Sequence, residues 1–231
     1  MSDSTPILEA IADQRLEQSA VEALARRGKP VALVAVDLEE VELSRLDLTG
    51  WSFERCIVRH ASFKGARLER TRWTGCRGAF ADFTAADLTE AVIRSGDFNN
   101  AILRGATLTE ARITGCKLTG VDLAEAKTLG AVFEETLLIA AKLPLFSFRK
   151  ATLRQLDLSQ ADLKKADFRD AVFEDCSLRD ANLAGARFQG ADLRGCDLGG
   201  LRLADAALFR GATISRAQAG AMLAELGLNV R

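Results

Sequence analysis

The chain has 231 residues, 48% of them hydrophobic and 27% charged, enough to bury one sizeable core in a single domain. Its 31 Lys and Arg against 32 Asp and Glu leave a formal net charge of -1, which excludes the overall basic footprint of a nucleic-acid binder and the strong acidity of a polyanion mimic. No apolar run approaches the ~20 residues of a membrane span, and residues 1–6 lack signal-peptide character, so a cytoplasmic protein without a membrane partner is expected.

The first segment, residues 1–35, reads as a cap. Thr5 and Pro6 form a helix start with Pro at the first helical position. Ile7, Leu8, Ile11 and Leu16 make an apolar stripe, continued by Ala20, Val21 and Leu24 up to Gly28. This spacing predicts one or two short helices, followed by a strand over residues 31–36 leading into the next segment.

From residue 36 the sequence repeats. Stepping by five from Leu38 to Leu208 gives 35 positions, of which 33 are Leu, Phe, Ile, Val or Trp; only Gly78 and Thr128 break the series. Two residues earlier in each repeat runs a second series, 19 Ala and five Cys among 35 members. The other three positions are polar or Gly, often Asp just before the large residue, as in Ala86-Asp87-Leu88. A period of five fits neither the 3.6 of a helix nor the 2.0 of a strand, so neither element alone buries this pattern.

With this pattern the chain resembles the pentapeptide-repeat family, whose consensus is Ala-(Asp/Asn)-Leu-X-X. The resemblance covers about three quarters of the chain and implies an all-β solenoid, a right-handed quadrilateral β-helix of four pentapeptides per coil, with helical caps at both ends. Large central residues would stack inside, small ones fill the corners, and the rest face water. At 20 residues per coil, residues 36–212 make nearly nine coils, stacked at about 4.8 Å like neighbouring strands.

Cys56, Cys76, Cys116, Cys176 and Cys196 are separated by multiples of 20, which puts all five in one inward column, as buried reduced thiols rather than metal ligands or a redox device. His60 falls at a corner, as a solvated bystander. Nothing supplies a nucleophile beside a base, a phosphate loop, a metal cluster or a cofactor site, so no catalytic residue is expected and the chain reads as a non-enzyme. The outward columns mix charge: Arg72, Arg94, Arg112, Arg154 and Arg194 share a face with Glu54, Glu134 and Glu174.

One stretch departs from the polar surface. Within residues 127–145, Leu129, Leu137, Ile139, Ala140, Pro144 and Leu145 fall at outward positions, and Phe80 lies at the same corner as Ala140, three coils earlier. An exposed apolar patch marks a partner-binding surface. The alternative is a local departure from the frame, which Phe146 and Leu156 in the small-residue column make credible.

Residues 213–231 read as a C-terminal capping helix. Ser215 to Gln218 fits a capping box, Gly227 a helix end, and Met222, Leu223 and Leu226 an apolar stripe that serves as a lid or as the contact of a homodimer.

The family divides by biology. One group protects type II topoisomerases such as DNA gyrase from drugs or toxins, and tends to be acidic on one face with loops projecting from the helix. A second is encoded beside type VI secretion components. Residues 147–153, 165–173 and 211–218 look like that second group, which would make the chain an immunity or accessory protein binding an effector toxin. Topoisomerase protection and a generic scaffold remain as alternatives.

Overall fold

The computed structural model describes residues 9–200, 203–224 and 227–230. The chain winds into a solenoid whose first face is a nine-stranded, all-parallel sheet in sequential order. Its strands are β1 (Glu9–Ala12), β2 (Val31–Val34), β3 (Ser52–Glu54), β4 (Arg72–Thr74), β5 (Val92–Arg94), β6 (Arg112–Thr114), β7 (Val132–Glu134), β8 (Thr152–Arg154) and β9 (Val172–Glu174). Partners from β2 onward are 20 residues apart, as in Phe53 beside Trp73 and Ile93 beside Ile113. The three other faces pair through single bridges with the same offset, such as Ser62 to Asp82 and Asp87 to Thr107. At one such position the bridge widens into the short pair β10 (Cys176–Ser177) and β11 (Cys196–Asp197). The result is the right-handed β-helix of about nine turns. Among the described residues no helix is long and apolar enough to cross a membrane.

Each pentapeptide turns one corner at its fifth residue. Every fifth residue from Ala35 to Gly200 has a positive φ except Gly195. On faces two to four the corner is closed by an i to i+3 bond, as from the Ala61 N–H to the Val58 carbonyl, with the positive φ at the turn's third residue that type II turns require. The repeated Asp before each large residue has a cause here. Its carboxylate accepts the N–H two residues on, as Asp82 does from Thr84 at 2.9 Å and Asp157 from Ser159 at 3.0 Å. Hydrogen bonds from Thr49 hold the Asp47 carboxyl below the usual carboxylate range, and bonds from Arg169 do the same for Asp167.

The third residues stack as the core. Phe53 lies on Trp73 at 3.8 Å between ring centres, Phe63 on Phe83 at 4.9 Å, and Phe148, Phe168 and Phe188 form a column spaced 5.2 and 4.9 Å. Gly78 interrupts the series because Phe98, one coil on, already occupies its space. A Cβ on Gly78 would lie 2.3 Å from the Phe98 ring. Restoring the repeat with Gly78→Leu therefore destabilises the protein, by about 1–3 kcal/mol for overpacking a filled core. Chemical denaturation of the variant checks this; a raised midpoint would show that Phe98 swings aside at no cost.

The two ends differ from the expectation. The segment read as helical from residue 7 contains β1, whose Ile11 pairs with Leu33 across a 22-residue offset. One helix follows, α1 (Gln18–Ala25), burying Val21. Thr5, Pro6, Ile7 and Leu8 lie outside the described residues. A helical stripe and one edge strand bury similar apolar residues, and pairing with β2 decides for the strand. At the other end the five-residue frame does not run to Leu208. Leu203–Phe209 is a 3-10 helix, after which Thr213 pairs with Asp192, an offset of 21. Phe209, not Leu208, is buried and lies on Phe188 at 4.7 Å. The slip keeps an aromatic ring in the column at the cost of one residue of register.

The capping box forms. The Gln218 N–H donates to Ser215 Oγ at 3.1 Å, and Ser215 N–H to Gln218 Oε1 at 2.6 Å, at the start of α2 (Arg216–Ala224). Gln218 Nε2 also donates to the carbonyls of Leu193 and Cys196, at 2.7 and 2.6 Å, so the helix closes the ladder's open edge.

Candidate protein-binding surface

The five cysteines are buried free thiols in one column. Cys56, Cys76 and Cys176 donate Sγ–H to the carbonyls of Leu33, Phe53 and Leu153, one coil back on the first face, at 3.2–3.3 Å. Thr136, in the same column, donates to the Glu134 carbonyl at 2.7 Å. Except at Cys196, whose N–H donates to the Leu193 carbonyl at 2.9 Å, corners leaving the first face lack the i to i+3 bond of the others, and this column favours small side chains with a donor over alanine. Burial raises the thiol pKa of Cys116, Cys176 and Cys196; the hydrogen bond with Cys56 and then burial raise that of Cys76. The hydrogen bond with Cys76 lowers that of Cys56, its partner in the column; enclosed in the core, the five thiols are structural.

The outward columns carry ion pairs between coils. Arg154 bridges Glu134 at 3.6 Å and Glu174 at 2.8 Å, Arg67 reaches Asp47 at 3.0 Å, and Arg187 reaches Asp167 at 2.8 Å. Alternating sign along the axis leaves no uniform stripe on these columns.

The predicted apolar residues fall into two groups. Leu137, Ile139 and Ala140 lie on the second face and its corner; Leu137 and Ala140 are exposed, and Ile139 is half-buried. Phe80 belongs to the same corner, about 14 Å along the axis at three coil spacings. It is 52% exposed, and His60 stacks on its ring at 5.1 Å, so His60 is a partner of Phe80 rather than a bystander. Leu129 and Leu145 form the second group, around the fourth face on successive coils, and are 80% and 72% exposed. Pro144 beside them is half-buried. Phe80, Ala140 and Leu145 all hold positive φ, at 62°, 53° and 63°. That conformation costs a residue with a Cβ roughly 1–2 kcal/mol, which Gly would avoid.

On α2, Met222 packs against the core while Leu223 is exposed, and Leu226 lies outside the described residues. Leu228 and Val230 beyond it are also exposed.

A stacked, quasi-one-dimensional solenoid with a rigid outer surface defines a class of repeat proteins that present extended binding faces. The pentapeptide-repeat model matches this chain in eight copies, spanning residues 61–120 and 131–219, and the chain belongs to that family. The interruption between these spans, residues 121–130, carries Leu129. No curated protein sequence is a match. Among solved structures, a trypsin-treated variant of QnrB1, a plasmid-mediated fluoroquinolone resistance protein, is 20% identical; the alignment covers 97% of this chain and 100% of that one, with a TM-score of 0.70. Full-length QnrB1 is 19% identical over 96% of this chain and 98% of its own, with a TM-score of 0.66. At this identity the likeness is one of fold.

Proposed function

We propose that this protein is a non-catalytic cytoplasmic solenoid that holds a protein partner through the surface around Leu129 and Leu145, and that the partner is an effector toxin of a type VI secretion system. One observation carries the binding surface: the two most exposed large apolar side chains among the described residues stand on adjacent coils. The left-handed backbone at Leu145 adds to it, because a bulky residue there is a cost to the fold alone. The likeness of residues 147–153, 165–173 and 211–218 to the secretion-associated group supports the partner class. Tagged protein incubated with host lysate should retain such a toxin stoichiometrically. Leu129→Asp combined with Leu145→Asp should cut retention at least tenfold while leaving the circular dichroism spectrum unchanged. Equal retention by the variant would refute the surface.

A second reading, binding to a type II topoisomerase, is favoured by the end-to-end likeness to QnrB1. The mixed charge of the exterior speaks against imitation of DNA. Addition of the protein to a gyrase supercoiling reaction containing a fluoroquinolone separates the two: restored supercoiling establishes the second reading and displaces the first.

A further inference from the structure

On the fourth face, successive coils are joined by a regular set of backbone bonds. Below the apolar stretch, Lys127 N–H donates to the Ala106 carbonyl, Leu108 to Lys127 and Glu110 to Leu129. Above it, Asp167 donates to Phe146, Phe148 to Asp167 and Lys150 to Arg169. Between these two steps, where residues 126–131 should bond to residues 147–152, none of these bonds forms. The ladder is intact at Leu123 to Lys142 on the third face and resumes at Glu134 beside Arg154 on the first. The expected alternative of a stretch leaving the frame is thus corrected: residues 132–143 keep their register, and two neighbouring coils part along one face instead.

The cause is a reversal of size in two facing repeats. Phe146 occupies a position that holds Ala in the coils on either side, and its buried ring packs against Phe133 at 5.9 Å and Phe148 at 4.5 Å. Thr128, at the central position of the coil below, is only half-buried. The opening is a cleft of about 460 Å³, walled by Leu123, Ala126, Thr128, Pro144, Leu145 and Phe146. Into it face backbone groups whose equivalents are paired in the steps directly below and above: the N–H groups of Thr128, Gly130, Ser147 and Thr152, and the carbonyls of Ala126 and Ala131. Unpaired strand edges are templates for another strand.

Five cations stand around the opening. Lys127 on the lower coil, Arg149 and Lys150 on the upper, and Lys164 and Lys165 one coil further are all exposed, and none has an ion-pair partner among the described residues. Of the acids nearby, Glu125, which lines the cleft, is held by Arg104 at 2.9 Å, Asp122 by Arg104 and Lys142, and Asp167 by Arg169 and Arg187. This cluster departs from the ion-paired pattern of the other columns.

We infer that this opened ladder is a docking slot for an extended segment of the partner protein, one that adds a short strand between the two coils, seats an apolar side chain against Phe146 and Leu123, and places carboxylates on the lysine and arginine rim. The inference rests on the reading of the chain as a protein binder and names the chemistry that its surface recognises. An extended acidic and apolar segment fits both halves of the site; a basic or helical one fits neither.

The test uses the full-length protein and a displayed library of random heptapeptides. Selected peptides should combine Asp or Glu with Val, Ile, Leu or Phe, and their binding should protect residues 126–131 and 146–152 from amide exchange. Phe146→Ala with Thr128→Leu, which restores the repeat and lets the ladder close, should weaken the selected peptides at least tenfold. If that variant fails to fold, Lys127→Glu with Lys150→Glu, both at exposed sites, should weaken them by a similar factor. Peptides lacking acidic residues, protection elsewhere, or full binding by the closed variant would overturn the slot. A toxin retained by the closed variant but lost by Leu129→Asp with Leu145→Asp would sink the slot and leave the binding surface standing; failure of the wild type to retain any partner would sink the reading beneath it.

Discussion

Leu163→Asp is expected to abolish cooperative folding. Leu163 is fully buried at the centre of its pentapeptide, and its column neighbours one coil away are Leu143 and Leu183, both buried. The small residues flanking it, Ala161 and Ala166, are buried as well and offer no side-chain donor. The local backbone N–H groups are committed to the ladder, as in Leu163 to the Asn182 carbonyl and Ala166 to Leu163. A carboxylate there loses its hydration and finds no partner, a penalty of several kcal/mol after relaxation. That is comparable with the whole stability of a domain, about 5–15 kcal/mol. The solenoid cannot shed the lesion, because each coil touches only its neighbours and the fault falls between two halves that need each other's faces. Loss of the far-UV β signal and of the thermal transition at neutral pH is the expected result. A buried carboxyl has its pKa raised, so the neutral form dominates at low pH, and the variant should regain part of its structure relative to wild type as the pH is lowered. Leu129→Asp, at an exposed position of the same repeat frame, should leave the melt unchanged. An unaltered melting curve for Leu163→Asp would refute the assignment of inward and outward positions.

That assignment is the part of the fold most open to reading from the sequence. A period of five recurs through the solenoid, so each position is determined by many copies of the same evidence, and Cys56 and Cys196 land in one column without any family knowledge. The ends lack that redundancy. Ile11 fits a helical stripe as well as a strand, and only its pairing with Leu33 decides. Leu203 and Leu208 continue the numerical series past the point where the backbone leaves it, because a 3-10 helix can still carry leucine every fifth residue. The candidate surface was half legible. Leu129 and Leu145 are apolar at outward positions and can be marked from the frame alone. The opening beside them depends on the volumes of Thr128 and Phe146, 18 residues apart in sequence but facing each other across one coil step. Phe146 was visible as an oversized residue in the small column; which bonds it would break was not, since that depends on where the ring finds room. The hydrogen bonds of the cysteine column were hidden for a similar reason, because the acceptors are backbone carbonyls 23 residues earlier.

Phe168→Ala should cost about 3–5 kcal/mol, the range for removing a fully buried phenylalanine. The ring stands inside the column of Phe148, Phe168, Phe188 and Phe209, nearly parallel to its neighbours at 7° and 11°. It also meets Phe173 on the next face at 5.5 Å. The site collapses poorly once the ring is gone, because the backbone above and below is pinned by bonds such as Phe168 N–H to Arg187 and Arg187 N–H to Ala166. The effect should be larger toward the C-terminus. Phe209 holds the end of the chain to the solenoid through Phe188, so loosening Phe188 loosens the slipped coil and the α2 cap that follow. The expected record is a lower denaturation midpoint together with faster amide exchange over residues 203–224 than over β3 to β6. A loss below about 1 kcal/mol would mean that the coils close over the gap, and the ladder would then be far more compliant than its regular bonding implies.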